Sequence, residues 1–161
     1  MKSVPREDFT YFQDMYRDIQ SSPYLRAADD AIPEQGMFAY KYMKDDLLSL
    51  AEKDVPLPSM KRILRDSLRG LVALHDKGIV HTDIKANNIM VNWTEENGDI
   101  EVHETRIVDM EDAAYVPEDR VIIGRQLGNW MWRSPEAHAA SRVHKPSDIF
   151  SFGIVVCSSL T

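Results

Sequence analysis

"HTDIKANNIM", residues 81–90, is the stretch on which the reading of this chain turns. It sets a carboxylate (Asp83), an ammonium (Lys85) and a carboxamide (Asn88) on one short loop ahead of an apolar run. An Asp-x-Lys alone carries little. A second stretch, "IVDMED" (107–112), changes its weight, because Asp109 stands at the end of another apolar run. "TEENGD" (94–99), between the two, carries the Asn97-Gly98 signature of a tight hairpin. Pairing of the flanking strands would bring Asn88 beside Asp109. Asn and Asp oxygens suit hard Mg²⁺, which keeps several waters and takes a few oxygen ligands together with substrate phosphates. Asp83 could then accept a hydroxyl proton, and Lys85 could balance charge on a moving phosphoryl group.

Working outward, the clearest element is a helix expected over 59–77. Ser59 suits an N-cap, and Met60, Ile63, Leu64, Ser67, Leu68, Leu71, Val72 and His75 form one stripe. Gly78 sits where a left-handed residue ends such a helix. Upstream, Phe9, Phe12, Tyr16 and Ile19 recur at helical steps, which predicts an amphipathic helix over 5–20 with Ser3 as a possible cap. "GMFAYKYM" (36–43) reads as a strand and "DDLLSLAEK" (45–53) as a short helix stopped by Pro56 and Pro58. Apolar runs at 79–81, 88–93, 100–104 and 105–110 follow, then an irregular segment over 111–133. "SPEAHAA" (134–140) starts a short helix with Ser134 as cap and Pro135 at its first position. "SDIFSFGIVV" (147–156) starts a buried one.

The 161 residues include 19 Lys+Arg and 26 Asp+Glu, a net charge of −7. That balance argues against nucleic acid as a partner, because phosphate backbones need clustered Lys and Arg. The single cysteine, Cys157, excludes a disulfide framework and a Cys-rich zinc site. It is expected to be buried and inert, and it fits an intracellular setting, cytoplasmic or nuclear. No run reaches the roughly 18 apolar residues of a membrane span, and the N-terminus lacks the apolar core of a signal peptide. His75 and His81, like His138 and His144, are six residues apart, a spacing that matches no helical metal pair.

The sequence resembles the protein kinase superfamily. "HTDIKANN" is similar to the catalytic loop H-R-D-L-x-x-x-N, and "VDMED" stands where D-F-G is expected. "GNWMWRSPE" (128–136) resembles the segment ending in A-P-E, and "SDIFSFGIVV" the buried helix after it. "FAYKYM" is similar to the strand and hinge that meet the nucleotide base. The resemblance implies an α+β, kinase-like fold, with 1–43 as a remnant of the small lobe and hinge and 44–161 as an incomplete, helix-rich large lobe. The chain would begin inside one lobe and end inside the other.

It also implies roles. Asp83 would be the catalytic base and Lys85 would contact the γ-phosphate of ATP. Asn88 and Asp109 would hold Mg²⁺. Backbone groups of Lys41, Tyr42 and Met43 would meet the adenine edge, with Tyr40 as gatekeeper and Met90 under the ring. His81 would be a structural loop histidine, Glu136 would anchor the end of the activation segment, and Asp148 would brace the catalytic-loop backbone.

Departures from the family pattern are equally specific. Thr82 replaces the arginine before the catalytic aspartate, and residues 116–133 contain no Ser, Thr or Tyr. Together these argue against switching by loop phosphorylation. Met110 and Glu111 replace the Phe and Gly of D-F-G, and Glu111 adds charge beside the metal position. Asn129 replaces a threonine that bridges base and lysine, a task its amide could share. None of the seven glycines makes a G-x-G-x-x-G, and the strand bearing the V-A-I-K lysine is expected to be missing. The glutamate position of the small-lobe helix falls near Gln13 or Asp14. Trp93, Trp130 and Trp132 read first as packing anchors, with an exposed docking surface at 130–132 as the lesser alternative.

Three functions are therefore open at this level. The first is a Ser/Thr-type protein kinase that uses Mg-ATP on an unidentified protein substrate. The second is a non-catalytic pseudokinase acting as an interaction module. The third is a small-molecule phosphotransferase of the aminoglycoside or choline kinase type, which Asp109-Met110-Glu111 resembles. "RSPEAH" and "SDIFSFG" speak against the third.

Overall fold

The computed structural model describes residues 1–96 and 98–160. In chain order its elements are β1 (Lys2–Ser3), α1 (Phe9–Ile19), β2 (Asp30–Ile32), β3 (Met37–Ala39), β4 (Asp45–Asp46), α2 (Leu47–Ala51), α3 (Leu57–Asp76), β5 (Ile79–Val80), β6 (Ile89–Glu96), β7 (Asp99–Ile107), β8 (Ala114–Tyr115), α4 (Pro135–His138) and α5 (Lys145–Leu160). The strands form three small sheets, ordered β1-β3-β2, β4-β6-β7 and β5-β8, and every pairing within them is antiparallel. This is the mixed α+β architecture expected of a partial kinase-like fold.

The front of the molecule is the β1-β3-β2 sheet with α1 against it. Helix α1 buries Phe9, Phe12, Met15, Tyr16 and Ile19. Phe9 stacks on Phe38 of β3 with ring centroids 4.6 Å apart, and Tyr16 meets the same ring edge-on at 5.0 Å. Such aromatic pairs add to what burial of their area contributes. The helix begins at Phe9 rather than at residue 5. Ser3 is not its cap, because Ser3 pairs with Met37 in the sheet. The expected strand over 36–43 is limited to Met37–Ala39.

Helix α3 is the axis of the rest. Its buried column is Met60, Ile63, Leu64, Ser67, Leu71 and Leu74, packed on β7, β5 and α5. Leu68 and Val72 are exposed, so the buried face is narrower than the sequence stripe. At Gly70 a Cβ would lie 2.9 Å from the Tyr24 carbonyl oxygen and 3.0 Å from Ile107 Cδ1, so the missing side chain lets β7 approach. The helix starts at Leu57 with Pro56 ahead of it. Ser59, inside the first turn, donates to the Ile100 carbonyl at 2.9 Å instead of capping. Gly78 closes it at φ +70°.

β6 and β7 form the hairpin that the sequence suggests, and the two runs at 100–104 and 105–110 fall largely within one continuous strand. Asn97, half of the turn signature, lies outside the described residues; Gly98 beside it has φ +88°. A bulge shifts the register between Asn92 and Trp93. It resets the two-residue alternation of β7, so that Val102 and Thr105 are both buried. Below the bulge, Ile89 pairs with Ile107, which draws Asn88 and Val108 together. Trp93 and Trp132 pack inside, whereas Trp130 is 69% exposed. Cys157 is exposed, contrary to the expectation of burial, because it lies on the outer side of α5. Among the described residues no helix is long and apolar enough to cross a membrane.

Candidate active site

The loop 81–88 is held from beneath by one buried carboxylate. Asp148, near the start of α5, is 1% exposed. Its Oδ2 accepts from the His81 amide at 2.8 Å, and its Oδ1 from the Thr82 amide at 2.9 Å. His75 of α3 approaches the same Oδ2 with Nε2 at 2.9 Å. Thr82 has φ 66°, an unfavourable conformation for a β-branched residue. The two Asp148 bonds and a bond from Thr82 Oγ1 to the Asp112 carbonyl, 2.8 Å, hold it there. His81 is fully buried. Its Nε2 lies 2.9 Å from the Val108 carbonyl, which can only accept, so Nε2 carries the proton. Nδ1 is then left to accept the Asp83 amide at 3.3 Å.

Asp83 follows the turn at Thr82 and is itself largely buried. Lys85 Nζ is 2.6 Å from Asp83 Oδ2. Asn88 Nδ2 donates to the Asp83 carbonyl at 2.8 Å and to its Oδ2 at 3.1 Å. The remaining oxygen, Oδ1, accepts the backbone amide of Asn129 at 2.7 Å. The Asn129 side chain does not bridge base and lysine; its Oδ1 caps the Met131 amide instead. Gly128 permits this approach, because a Cβ there would lie 2.3 Å from the Thr82 carbonyl oxygen.

Asp109 follows β7 in a left-handed conformation, φ 67°, which Asp tolerates better than most residues. Met110 turns inward and is fully buried, and Glu111 stays on the cleft side. The Val108 amide donates to the Asn88 carbonyl at 2.9 Å and fixes the two strand ends side by side.

The front wall corrects the sequence reading most. The strand carrying a lysine is present: it is β1, and Lys2 Nζ lies 2.7 Å from Asp109 Oδ1 and 3.1 Å from Glu111 Oε1. Burial pulls the Lys2 pKa down, but the bonds to the two carboxylates outweigh it and the net shift is upward. On α1 neither Gln13 nor Asp14 faces the cleft; Asp14 pairs with Arg17 on the outside. The α1 side chain that lines the cleft is Tyr16. Its hydroxyl is 2.7 Å from that of Tyr40. Burial raises both phenol pKa values, so both stay neutral.

A cavity of about 270 Å³ lies between these walls. Lys2, Tyr16, Arg26, Tyr40, Asn88 and Asp109 line it, with Glu111 at its rim. Arg26 Nη2 donates to the Lys41 carbonyl, and its guanidinium lies 5.1 Å from the Tyr40 ring centroid. Burial lowers its pKa. Tyr42 points to solvent, Met43 is buried, and Met90, half-buried in β6, lies outside the cavity lining. Lys2, Tyr16 and Arg26 went unrecognised in the sequence. The available signal was an ammonium shortly ahead of an amphipathic helix, and an arginine between Leu25 and Ala27.

At the far end, Ser134 caps α4 through the Ala137 amide, 3.4 Å. Glu136 accepts from Ser147 Oγ at 2.5 Å, which ties α4 to α5. Burial raises the Glu136 pKa, but the Ser147 bond and backbone contacts outweigh it, and the net shift is downward.

Asp83 is thus a carboxylate oriented by three donors, with Lys85 beside it. Comparison with known proteins identifies the family. The protein kinase domain model matches residues 16–161, and this chain belongs to the protein kinase superfamily as a partial domain. It is 30% identical over 150 residues to U-box domain-containing protein 35 of Arabidopsis thaliana, covering 86% of this chain and 18% of that protein. It is 28% identical over 137 residues to the serine/threonine-protein kinase/endoribonuclease IRE1a of the same plant, covering 79% and 16%. Against the serine/threonine-protein kinase PknL of Mycobacterium tuberculosis it is 32% identical over 108 residues, covering 66% and 25%. The chain thus spans a quarter or less of each relative's length.

Proposed function

We propose that this chain carries the catalytic centre of a Ser/Thr-type protein kinase, which moves the γ-phosphoryl group of Mg-ATP to a protein hydroxyl. The observation that carries the reading is the convergence of Lys85, Asn88 and the Asn129 amide on Asp83, with Asn88 lining one cavity together with Asp109 and Lys2. The acceptor oxygen attacks the γ-phosphorus and the bond to the bridging oxygen of ADP breaks. Asp83 orients the hydroxyl and takes its proton, and Lys85 offsets charge on the moving group.

The donor set fits Mg²⁺. Both Asn88 Nδ2 hydrogens are directed at Asp83, which leaves its Oδ1 without a hydrogen bond among the described residues. Asp109 Oδ2 is likewise unused, since Lys2 engages Oδ1. Both are the hard oxygens this cation prefers. Bound there, Mg²⁺ would neutralise phosphate charge. Tyr40 and the backbone of Lys41–Met43 would hold the base. The single cysteine supports an intracellular setting, cytoplasmic or nuclear.

A specific observation favours the pseudokinase as second reading. Lys2 is engaged by both Asp109 and Glu111, and the α1 side chain that lines the cleft is Tyr16, not a glutamate that could pair with that lysine as in an active kinase. The test is transfer of labelled γ-phosphate by the full-length protein, with protein acceptors and small alcohols assayed in parallel. Transfer to protein serine or threonine is expected. Normal Mg-ATP binding without any transfer would overturn the kinase reading in favour of the pseudokinase, and transfer to small alcohols alone would replace it with the third alternative.

A further inference from the structure

The front wall of the cleft holds a second cation that phosphoryl transfer does not use. Arg26 enters it from the segment between α1 and β2, its own amide fixed to the Ile107 carbonyl at 2.9 Å. Its side chain crosses the Tyr40 ring and donates through Nη2 to the carbonyl of Lys41. That carbonyl belongs to the backbone stretch assigned above to the base edge. The Arg26 Nε is buried and has no hydrogen-bond partner among the described residues. A buried donor without an acceptor is costly, and such a group calls for a ligand or a water.

Donor and acceptor chemistry then discriminates between bases. Adenine presents a 6-amino group, a donor, and needs a carbonyl to receive it. Arg26 already occupies the Lys41 carbonyl with a donor of its own. A 6-oxopurine presents O6 and N7, both acceptors, and arginine meets that pair with two parallel N–H bonds. A guanidinium has five N–H groups in a planar fork, enough to hold the Lys41 carbonyl and the base oxygen together. Adenine must displace Arg26, whereas guanine uses it.

We propose that Arg26 is the base-reading residue of this cleft and sets it to favour 6-oxopurine over 6-aminopurine nucleotides. This rests on the nucleotide-binding reading above and names its donor more closely: GTP is taken ahead of ATP at equal concentration.

The experiment is a fluorescence titration of the full-length protein with Mg-free and Mg-bound ATP and GTP carrying a reporter on the ribose. Wild type, Arg26→Ala and Arg26→Met are compared, the last keeping the apolar stem over Tyr40. Wild type is expected to bind GTP roughly tenfold more tightly than ATP, about one charge-assisted hydrogen bond's worth. Both variants are expected to tighten ATP and weaken GTP, reversing the order. Thermal unfolding of the unliganded variants identifies any that fail to fold, and the Met variant is read if Ala fails. Tighter ATP than GTP in wild type, or an order unmoved in the folded variants, overturns the role of Arg26 and leaves the nucleotide site standing. No binding of either nucleotide by wild type or either folded variant overturns the nucleotide site itself, and Arg26 with it.

Discussion

The two walls of the cleft are built to different standards. In the rear wall, the groups that hold Asp83 in place are engaged by the fold: Asp148 holds two amides and approaches His75, His81 bonds at both ring nitrogens, and three donors aim Asp83. In the front wall the cations are spent on partners within the protein, Lys2 on two carboxylates and Arg26 on a backbone carbonyl, while Tyr16 and Tyr40 bond each other. On the proposed function, the rear wall fixes the geometry for phosphoryl transfer and the front wall sets what a nucleotide would have to displace.

The sharpest way to break this contrast is at its buried pivot. Asp148→Ala strands the His81 and Thr82 amides, at roughly 1–3 kcal/mol for each buried donor left unpaired. Urea unfolding should report a loss of about 2–6 kcal/mol on that basis, and a loss below about 0.5 kcal/mol, the level of an ordinary surface change, would show that the loop holds itself. Gly128→Ala comes next. The added Cβ would meet the Thr82 carbonyl oxygen at 2.3 Å, at a residue with φ +75°. Overpacking of this kind costs about 1–3 kcal/mol. The Asn129 amide should withdraw from Asp83, seen as a loss of its amide hydrogen-exchange protection; unchanged protection would refute the close approach.

The front wall should respond far less in stability. Lys2→Met removes a half-exposed ion pair, worth about 0–1 kcal/mol. Because the folded pKa of Lys2 is raised above 10.5, its contribution is complete below that pH and disappears as pH rises through the folded value. The stability difference between wild type and Lys2→Met should therefore shrink above pH 10.5, and a difference that grew there would reverse the sign of the pairing. Smallest is Ser147→Ala. Its hydroxyl helps hold the Glu136 pKa below 4.5, so NMR titration of the variant should find that pKa moved upward. No movement would assign the shift to the backbone alone.

The same division governs what could be read from the sequence. The rear wall is local: Asp83, Lys85 and Asn88 share one loop, and Asp109 is placed by a hairpin whose turn signature is itself local. The front wall is assembled from distant pieces. Lys2 reaches Asp109 across 107 positions, and Arg26 reaches Lys41 through a sheet whose strands are two or three residues long, too short to show a period. Tyr16 reads as core by its helical spacing, and it is buried; its spacing could not say that its hydroxyl ends in the cleft. Ser59 and Ser3 failed as caps for a related reason, because their neighbours, β7 and β3, offered partners the local sequence does not contain.

One measurement addresses the central claim most directly: single-turnover phosphate transfer by the full-length protein with Mg²⁺ and either ATP or GTP, with nucleotide occupancy read in the same sample, for wild type and Asp83→Asn. The account predicts transfer by wild type and a fall of at least about a hundredfold in the variant, the usual scale for losing a general base, at unchanged occupancy. Equal transfer by both proteins, or none by wild type at full occupancy, would contradict it.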